Sequence, residues 1–178
     1  MFRTVISHGS VAGLIVGIPL FTLAVVMNGH PPLKYGVVLG HLTMLTALSA
    51  VFLAVKRHRD EDLDGVIRFW PALGLGLGIS LVAGVFYVLA WEAALAVTGM
   101  DYAGDYAKAL IIEQQAKGAS AEALAKFTTE MEQFKQQYAN PLFRLPMTLA
   151  EIFPIGVLVS LVSAALLRNS RVLPARRG

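Results

Sequence analysis

The sequence predicts an all-α integral membrane four-helix bundle, with an external helical hairpin inserted between spans three and four. Three observations carry that prediction. Hydrophobic residues make up 56% of the 178 positions and charged residues only 15%, against about 25% charged in a soluble domain; mean hydropathy is +0.61. The apolar residues gather into four stretches near the ~20 residues that a helix needs to cross ~30 Å of hydrocarbon. Lys and Arg collect beside the ends of those stretches. This composition excludes a soluble globular domain and a disordered chain, and the absence of Cys excludes a disulfide scaffold, thiol chemistry and Cys-ligated metal. The runs are too long for barrel strands and show no alternation of period two. The whole chain, 1–178, reads as a single membrane domain.

Span one covers about 5–27, inside a segment from Thr4 to Leu33 that holds no Asp, Glu, Lys or Arg. It is too long for a signal peptide, and Met27-Asn28-Gly29-His30-Pro31-Pro32 reads as a turn rather than a cleavage site, so a retained anchor is expected. Span two covers about 35–55, with His41 as its ionisable residue. Span three covers about 70–97, flanked by Phe69 and Trp70 at one end and Tyr87 and Trp91 near the other, as an aromatic belt requires. Span four covers about 145–167 and is interrupted by Glu151. Pro19 and Pro154 lie inside spans and should bend them, whereas Pro71 and Pro146 are expected at span starts.

Orientation follows the positive-inside rule. Arg3, then Lys56, Arg57, Arg59 and Arg68, then Arg168, Arg171, Arg176 and Arg177 fall on one side, which places both termini in the cytoplasm. The basic balance, with pI 9.3, therefore reports topology and not nucleic-acid binding. Segment 100–144 lies outside and reads as a helical hairpin insertion. Tyr102, Tyr106 and Leu110 mark its first helix, Gly118 ends it, and Ser120 caps the second. There Leu124, Phe127, Met131, Phe134 and Tyr138 fall on one stripe, with Glu113–Lys117 and Glu122–Lys126 as supporting pairs.

Glycines at four-residue spacing predict close helix packing: Gly9, Gly13 and Gly17 on span one, Gly36 and Gly40 on span two, Gly74 and Gly78 on span three. In lipid such stripes give the dispersion contact that drives association. Ser80 and Gly84 continue the theme on a neighbouring stripe. Ionisable groups inside a membrane are costly and mark functional candidates. Glu151 and His41 each sit six residues into their spans from the external face, ~9 Å at 1.5 Å per residue, and Glu92 lies near the external end of span three. These three form a candidate intramembrane polar site, suited to proton transfer, a divalent metal or a cationic or hydroxylated lipid headgroup; the alternative is that Glu92 is solvated and Glu151 paired with Arg144, Lys34 or His41. His8 reads as an interfacial residue.

Asp60-Glu61-Asp62-Leu63-Asp64-Gly65 matches half of a calcium loop, but the twelfth position, which must be a bidentate Glu, is Pro71. A self-neutralising juxtamembrane turn after Lys56-Arg57-His58-Arg59 is expected instead. No phosphate loop, HExxH or GxSxG is present in the sequence. The sequence points to no cofactor, no metal and no catalytic residue.

Several phrases resemble the bacterial membrane family called domain of unknown function 4199. They are Lys56-Arg57-His58-Arg59-Asp60, Gly65-Val66-Ile67-Arg68-Phe69, Trp91-Glu92, Asn140-Pro141-Leu142-Phe143-Arg144 and Glu151-Ile152-Phe153-Pro154-Ile155-Gly156, in an order and spacing that cover nearly the whole chain. The resemblance implies a multi-pass bacterial membrane protein and brings no established activity. The expectation is therefore a multi-pass inner-membrane protein with both termini cytoplasmic. Its partners would be the lipid bilayer and, through the 100–144 hairpin, a second copy or a membrane protein. It would act as a non-enzymatic assembling or accessory protein; the alternative is a small proton-, ion- or lipid-handling protein using intramembrane carboxylates.

Overall fold

The computed structural model describes residues 2–27 and 36–174. Six helices run in order: α1 (Phe2–Met27), α2 (Gly36–Asp62), α3 (Phe69–Thr98), α4 (Tyr102–Ala116), α5 (Ala121–Tyr138) and α6 (Pro141–Leu167). No strand is found among the described residues. Three helices are long and apolar enough to cross a membrane: Phe2–Val26, Phe69–Thr98 and Pro141–Leu167. α2 is not one of these three among the described residues, and it carries the charged Lys56–Asp62 segment at its end.

α1 packs on α3 and α2, and α6 packs on α3 and α2, around a single core. Val16 of α1, Leu48 and Val51 of α2, Leu75 and Ile79 of α3, and Ile152 and Leu167 of α6 are fully buried there. The outward faces stay apolar: Val11, Ile18, Leu53, Leu89 and Leu158 are all exposed.

Glycines permit the close approaches. A Cβ on Gly13 would lie 2.5 Å from Cβ of Phe86, one on Gly9 2.6 Å from Cβ of Val82, and one on Gly17 3.2 Å from Cβ of Ala90. The α1 zipper thus faces α3 within the chain. Gly78 contributes from the α3 side, opposite Val5. Gly74 departs from the expected seam: a Cβ there would meet nothing within 4 Å, because it lies on the exposed side of α3. The surroundings of Gly36 and Gly40 lie outside the described residues, as do Lys34 and, after Met27, the turn expected through Pro32. The α3–α6 seam uses the neighbouring stripe. Gly76 faces Ser160 and Gly156 faces Ser80, and the two hydroxyls hydrogen-bond each other at 3.3 Å and both reach the Gly156 carbonyl.

Local chemistry sets the helix ends. Gly99 takes φ +63 as the αL C-cap of α3, which a residue with a Cβ adopts at a cost. Asp101 caps α4 at Gly104 N–H, Ser120 caps α5 at Ala123 N–H, and Asn140 caps α6 at Leu142 N–H. Gly118 at φ +77 makes the turn between α4 and α5. Only Ala139 and Asn140 separate α5 from α6, so Asn140-Pro141 starts the next helix as well as ending the last. Pro146 falls inside α6, beyond the first turn, and so removes a backbone bond rather than sitting at a helix start. The acidic segment is also reassigned: α2 continues through Asp62, so Asp60 and Asp62 lie on a helix, and the half-match to a calcium loop is lost. The Glu113–Lys117 pair forms at 2.6 Å; Glu122 and Lys126 form no ion pair among the described residues.

Candidate functional site

The last turns of α3, the start of α6 and the α4–α5 pair meet at one end of the packed helices. α3 presents Tyr87, Trp91 and Leu95 at four-residue steps, with Glu92 beside them. α6 brings Arg144, Thr148 and Glu151 at three- and four-residue steps. α4 adds Tyr102 and Tyr106, and α5 adds Phe134 and Tyr138. Because both pairs repeat at four residues, each helix shows its rings on one side.

Glu92 and Arg144 form a bidentate ion pair. Nε donates to Oε1 at 2.6 Å and Nη2 to Oε2 at 2.5 Å, with the side chains only 26% and 15% exposed. The third guanidinium nitrogen, Nη1, donates to the Tyr138 carbonyl at 3.2 Å, and the guanidinium carbon lies 5.7 Å from the centre of the Tyr138 ring, within cation–π range. Arg144 thus ties α3, the end of α5 and the start of α6 together. Trp91 Nε1–H donates to Tyr138 Oη at 2.7 Å, and its ring meets Tyr102 edge-on at 4.8 Å and 83°. Tyr102 stacks on Tyr106 at 6.0 Å, and Phe134 closes the cluster against Tyr106 and Tyr138. This cluster covers part of the α5 stripe: Leu124, Phe127, Met131 and Phe134 are half-buried and Tyr138 is buried. Burial, reinforced by the charges of Tyr138 and Glu151, pushes the Tyr102 phenol up to about 12. Burial also raises Tyr138, against the opposing pull of Trp91 N–H and Arg144.

Glu151 follows a different course from Glu92. The Tyr87 hydroxyl donates to its Oε2 at 3.3 Å, and His41 lies within electrostatic reach, so α2, α3 and α6 all contribute at this depth. Both Glu151 and His41 are exposed on their helices. No hydrogen bond or ion pair links Glu92 to Glu151 among the described residues. The structure therefore brings Glu151 and His41 together and commits Glu92 to Arg144. Among the described residues, no group of three or more His, Asp or Glu is placed to hold a metal ion. A cavity of about 230 Å³ opens beside the cluster, lined by residues that include Met100, Asp101, Tyr102, Lys135, Tyr138 and Arg144. Lys135 and Asp101 form an ion pair across it at 3.4 Å. A second, apolar groove of about 410 Å³ runs between α2 and α6, lined by Leu45, Ser49, Phe52, Leu53, Leu158, Val159, Val162 and Ser163.

The opposite end carries an arrangement that sequence reasoning missed. Arg59 is wholly buried. Its guanidinium donates to the carbonyls of Val172 at 2.9 Å, Leu173 at 2.5 Å and Leu167 at 3.5 Å, and Nε to Asp60 at 2.7 Å. It thereby satisfies one carbonyl that the end of α6 leaves without a helical partner, Leu167, and two in the turn segment beyond it, Val172 and Leu173. A signal was present: Met44, Leu48, Val51 and Val55 form the buried stripe of α2, and Arg59 is the next position on it. Around it Lys56–Asp60, Arg57–Glu61 and His58–Asp62 form an i,i+4 ladder. Burial opposes the Asp60 charge, but Arg59 and Lys56 together hold the carboxyl below its ordinary range. His8, in the first turns of α1, contacts its own helix at the Thr4 carbonyl.

No curated protein and no solved structure matches the chain. A family model does match, over residues 7–169, from ahead of the glycine zipper to just past the end of α6. The match takes in the Glu92–Arg144 pair, Glu151 and the Arg59 ladder alike, and on it the chain belongs to the family described as protein of unknown function, DUF4199.

Proposed function

We propose that the protein is a non-enzymatic, multi-pass membrane protein: a four-helix bundle in the bacterial inner membrane that assembles with itself or with a membrane partner through α4 and α5. α1, α2, α3 and α6 are its spans, and Arg3, Lys56, Arg57, Arg68, Arg168 and Arg171 mark the cytoplasmic side, where both termini lie. The carrying observation is the Glu92–Arg144 pair. These charges, together with Trp91–Tyr138, are used to fasten the α4–α5 pair onto α3 and α6, which makes a firm platform instead of a reaction cleft. α4 buries Ala103, Gly104 and Ala107 and leaves Tyr106 and Ile112 exposed, and apolar side chains outside the bilayer favour a covering partner.

The chain has no Cys, so Ile112→Cys gives a single reactive thiol. With a bismaleimide in native membranes, we expect a covalent dimer or an adduct of defined mass with one partner subunit. A chain that stays uncrosslinked there and runs as one copy per nanodisc overturns the assembly reading.

One observation favours a second reading. Glu151 is not consumed by Arg144; it remains exposed on α6, with Tyr87 donating to it. On that ground the protein handles a proton, an ion or a lipid at Glu151.

A further inference from the structure

We propose that the crevice between α2 and α6 binds a membrane amphiphile with an ammonium headgroup, Glu151 taking the cation and the apolar groove beside it taking a hydrocarbon chain. The inference rests on the second reading and names its ligand class.

The register of the two helices carries it. On α6, Glu151, Ile155, Leu158 and Val162 recur at steps of four, three and four, the spacing of one helical face. On α2, His41, Leu45, Ser49 and Phe52 share one face at steps of four, four and three. α2 and α6 pack on each other and run in the same direction, since Arg59 near the end of α2 meets Leu167 at the end of α6. The polar pair therefore heads the groove, and seven residues separate Glu151 from Leu158, about 10 Å along the helix. An amphiphile with its head at Glu151 and its chain along the groove fits this layout.

The walls define what the chain must be. Ser49 and Ser163 line the groove, but their hydroxyls are engaged with their own helices, Ser49 at the Leu45 carbonyl and Ser163 at the Val159 carbonyl. What faces the groove is carbon, and its roughly 410 Å³ falls in the range of small-molecule sites. Leu45, Leu53, Leu158 and Val162 are all exposed along it, so the groove opens sideways toward the lipid, not toward water.

The head site defines the charge. Tyr87 offers Glu151 a neutral hydroxyl, which orients the carboxylate without cancelling its charge. His41, Tyr102 and Tyr138 are the other titratable groups within electrostatic reach of Glu151; the two phenols add no positive charge, and an ammonium competes at Glu151 only with a protonated His41. A carboxylate facing low-dielectric surroundings attracts an ammonium and repels a phosphate-only headgroup. Such an ammonium belongs either to an aminophospholipid or to a free long-chain amine.

Native mass spectrometry of the full chain in detergent separates these. The protein is titrated with phosphatidylethanolamine, phosphatidylglycerol, dodecylammonium and dodecanol. We expect each ammonium compound to be retained at least tenfold more tightly than its uncharged or anionic counterpart. Glu151→Gln should erase that preference at unchanged melting temperature. Leu158→Trp, a change at an exposed position, should fill the groove and weaken retention of both ammonium compounds. Retention of dodecylammonium without phosphatidylethanolamine assigns the site to a free amine; retention of both assigns it to the lipid. Equal retention of dodecylammonium and dodecanol, or a preference that survives Glu151→Gln, overturns the proposal. Should Glu151→Gln not fold, the wild-type comparison and Leu158→Trp decide it. Failure of the membrane reading itself shows differently, as a chain that remains dispersed without detergent.

Discussion

Arg144 shows how a single side chain can be tethered by three elements. Its guanidinium spans Glu92 on α3, the Tyr138 carbonyl at the end of α5 and the start of its own helix. The pair is neither fully buried nor free in solvent, so its worth lies between an exposed ion pair, ~0–1 kcal/mol, and the 3–5 kcal/mol lost when one partner of a buried pair is removed. Glu92→Gln should cost about 1–3 kcal/mol and loosen α4 and α5 before α1 and α3. Hydrogen exchange measured by helix checks the location. A double-mutant cycle with Arg144→Gln checks the pairing, since the double variant should be less destabilised than the two single changes summed. Additive losses would mean that the two charges act separately. Sequence alone placed Glu92, Glu151 and His41 near one end, because depth along a span can be counted in residues. It did not reveal which acid takes Arg144, because that depends on the rotation of α3 against α6, and rotation is set by side-chain packing that residue spacing does not encode. Arg59 was only half legible: its position continues the Met44–Val55 stripe, but an arginine among Lys56, Arg57 and Asp60 looks solvated until the returning 168–173 segment supplies the carbonyls that make burying it tolerable.

Packing between elements is more legible, with one exception. Small residues at four-residue spacing do mark the α1–α3 approach, and Gly9, Gly13 and Gly17 each stand where a Cβ would press on α3. Gly74 has the same spacing from Gly78 yet faces open space. The pattern identifies a stripe without saying whether a helix lies against it. This contrast gives a prediction internal to one helix pair. Gly13→Ala places a methyl 2.5 Å from Phe86 Cβ, so α1 and α3 must part, at a cost of about 1–3 kcal/mol for overpacking. Gly74→Ala meets no atom and should leave stability unchanged or raise it slightly, since alanine holds a helix better than glycine by ~1 kcal/mol. Thermal unfolding in one detergent compares them directly. Equal losses at both positions would mean that glycine matters here for helix flexibility and not for close approach. The α3–α6 seam behaves alike: Gly76 and Gly156 each face the serine of the other helix, so alanine at either should separate two helices whose hydroxyls already share the Gly156 carbonyl.

At the scale of the whole molecule α2 decides the number of crossings. Among the described residues three helices qualify as spans on length and hydropathy, and α2 is not one of them. Two features support its crossing as well. Its buried stripe from Met44 to Val55 is part of the same core as α1, α3 and α6, so it lies alongside helices that would span. Its Arg59 end also meets the end of α6, so the charged ladder sits where α6 would leave the bilayer, with the apolar Gly36–Val55 portion, about 30 Å at 1.5 Å per residue, matching the hydrocarbon thickness. A helix lying flat on the surface would fit neither. The cysteine-free sequence makes the test direct: single cysteines at His30, Asp64, Ala119 and Ser170, labelled from outside by a membrane-impermeant maleimide before and after permeabilisation. Four crossings require positions 30 and 119 to label from outside, and positions 64 and 170 to label only after permeabilisation. If position 30 labels with position 64, α2 does not cross, the positive-inside assignment fails for the first half of the chain, and Glu151 loses the lipid-facing crevice that its proposed ligand needs.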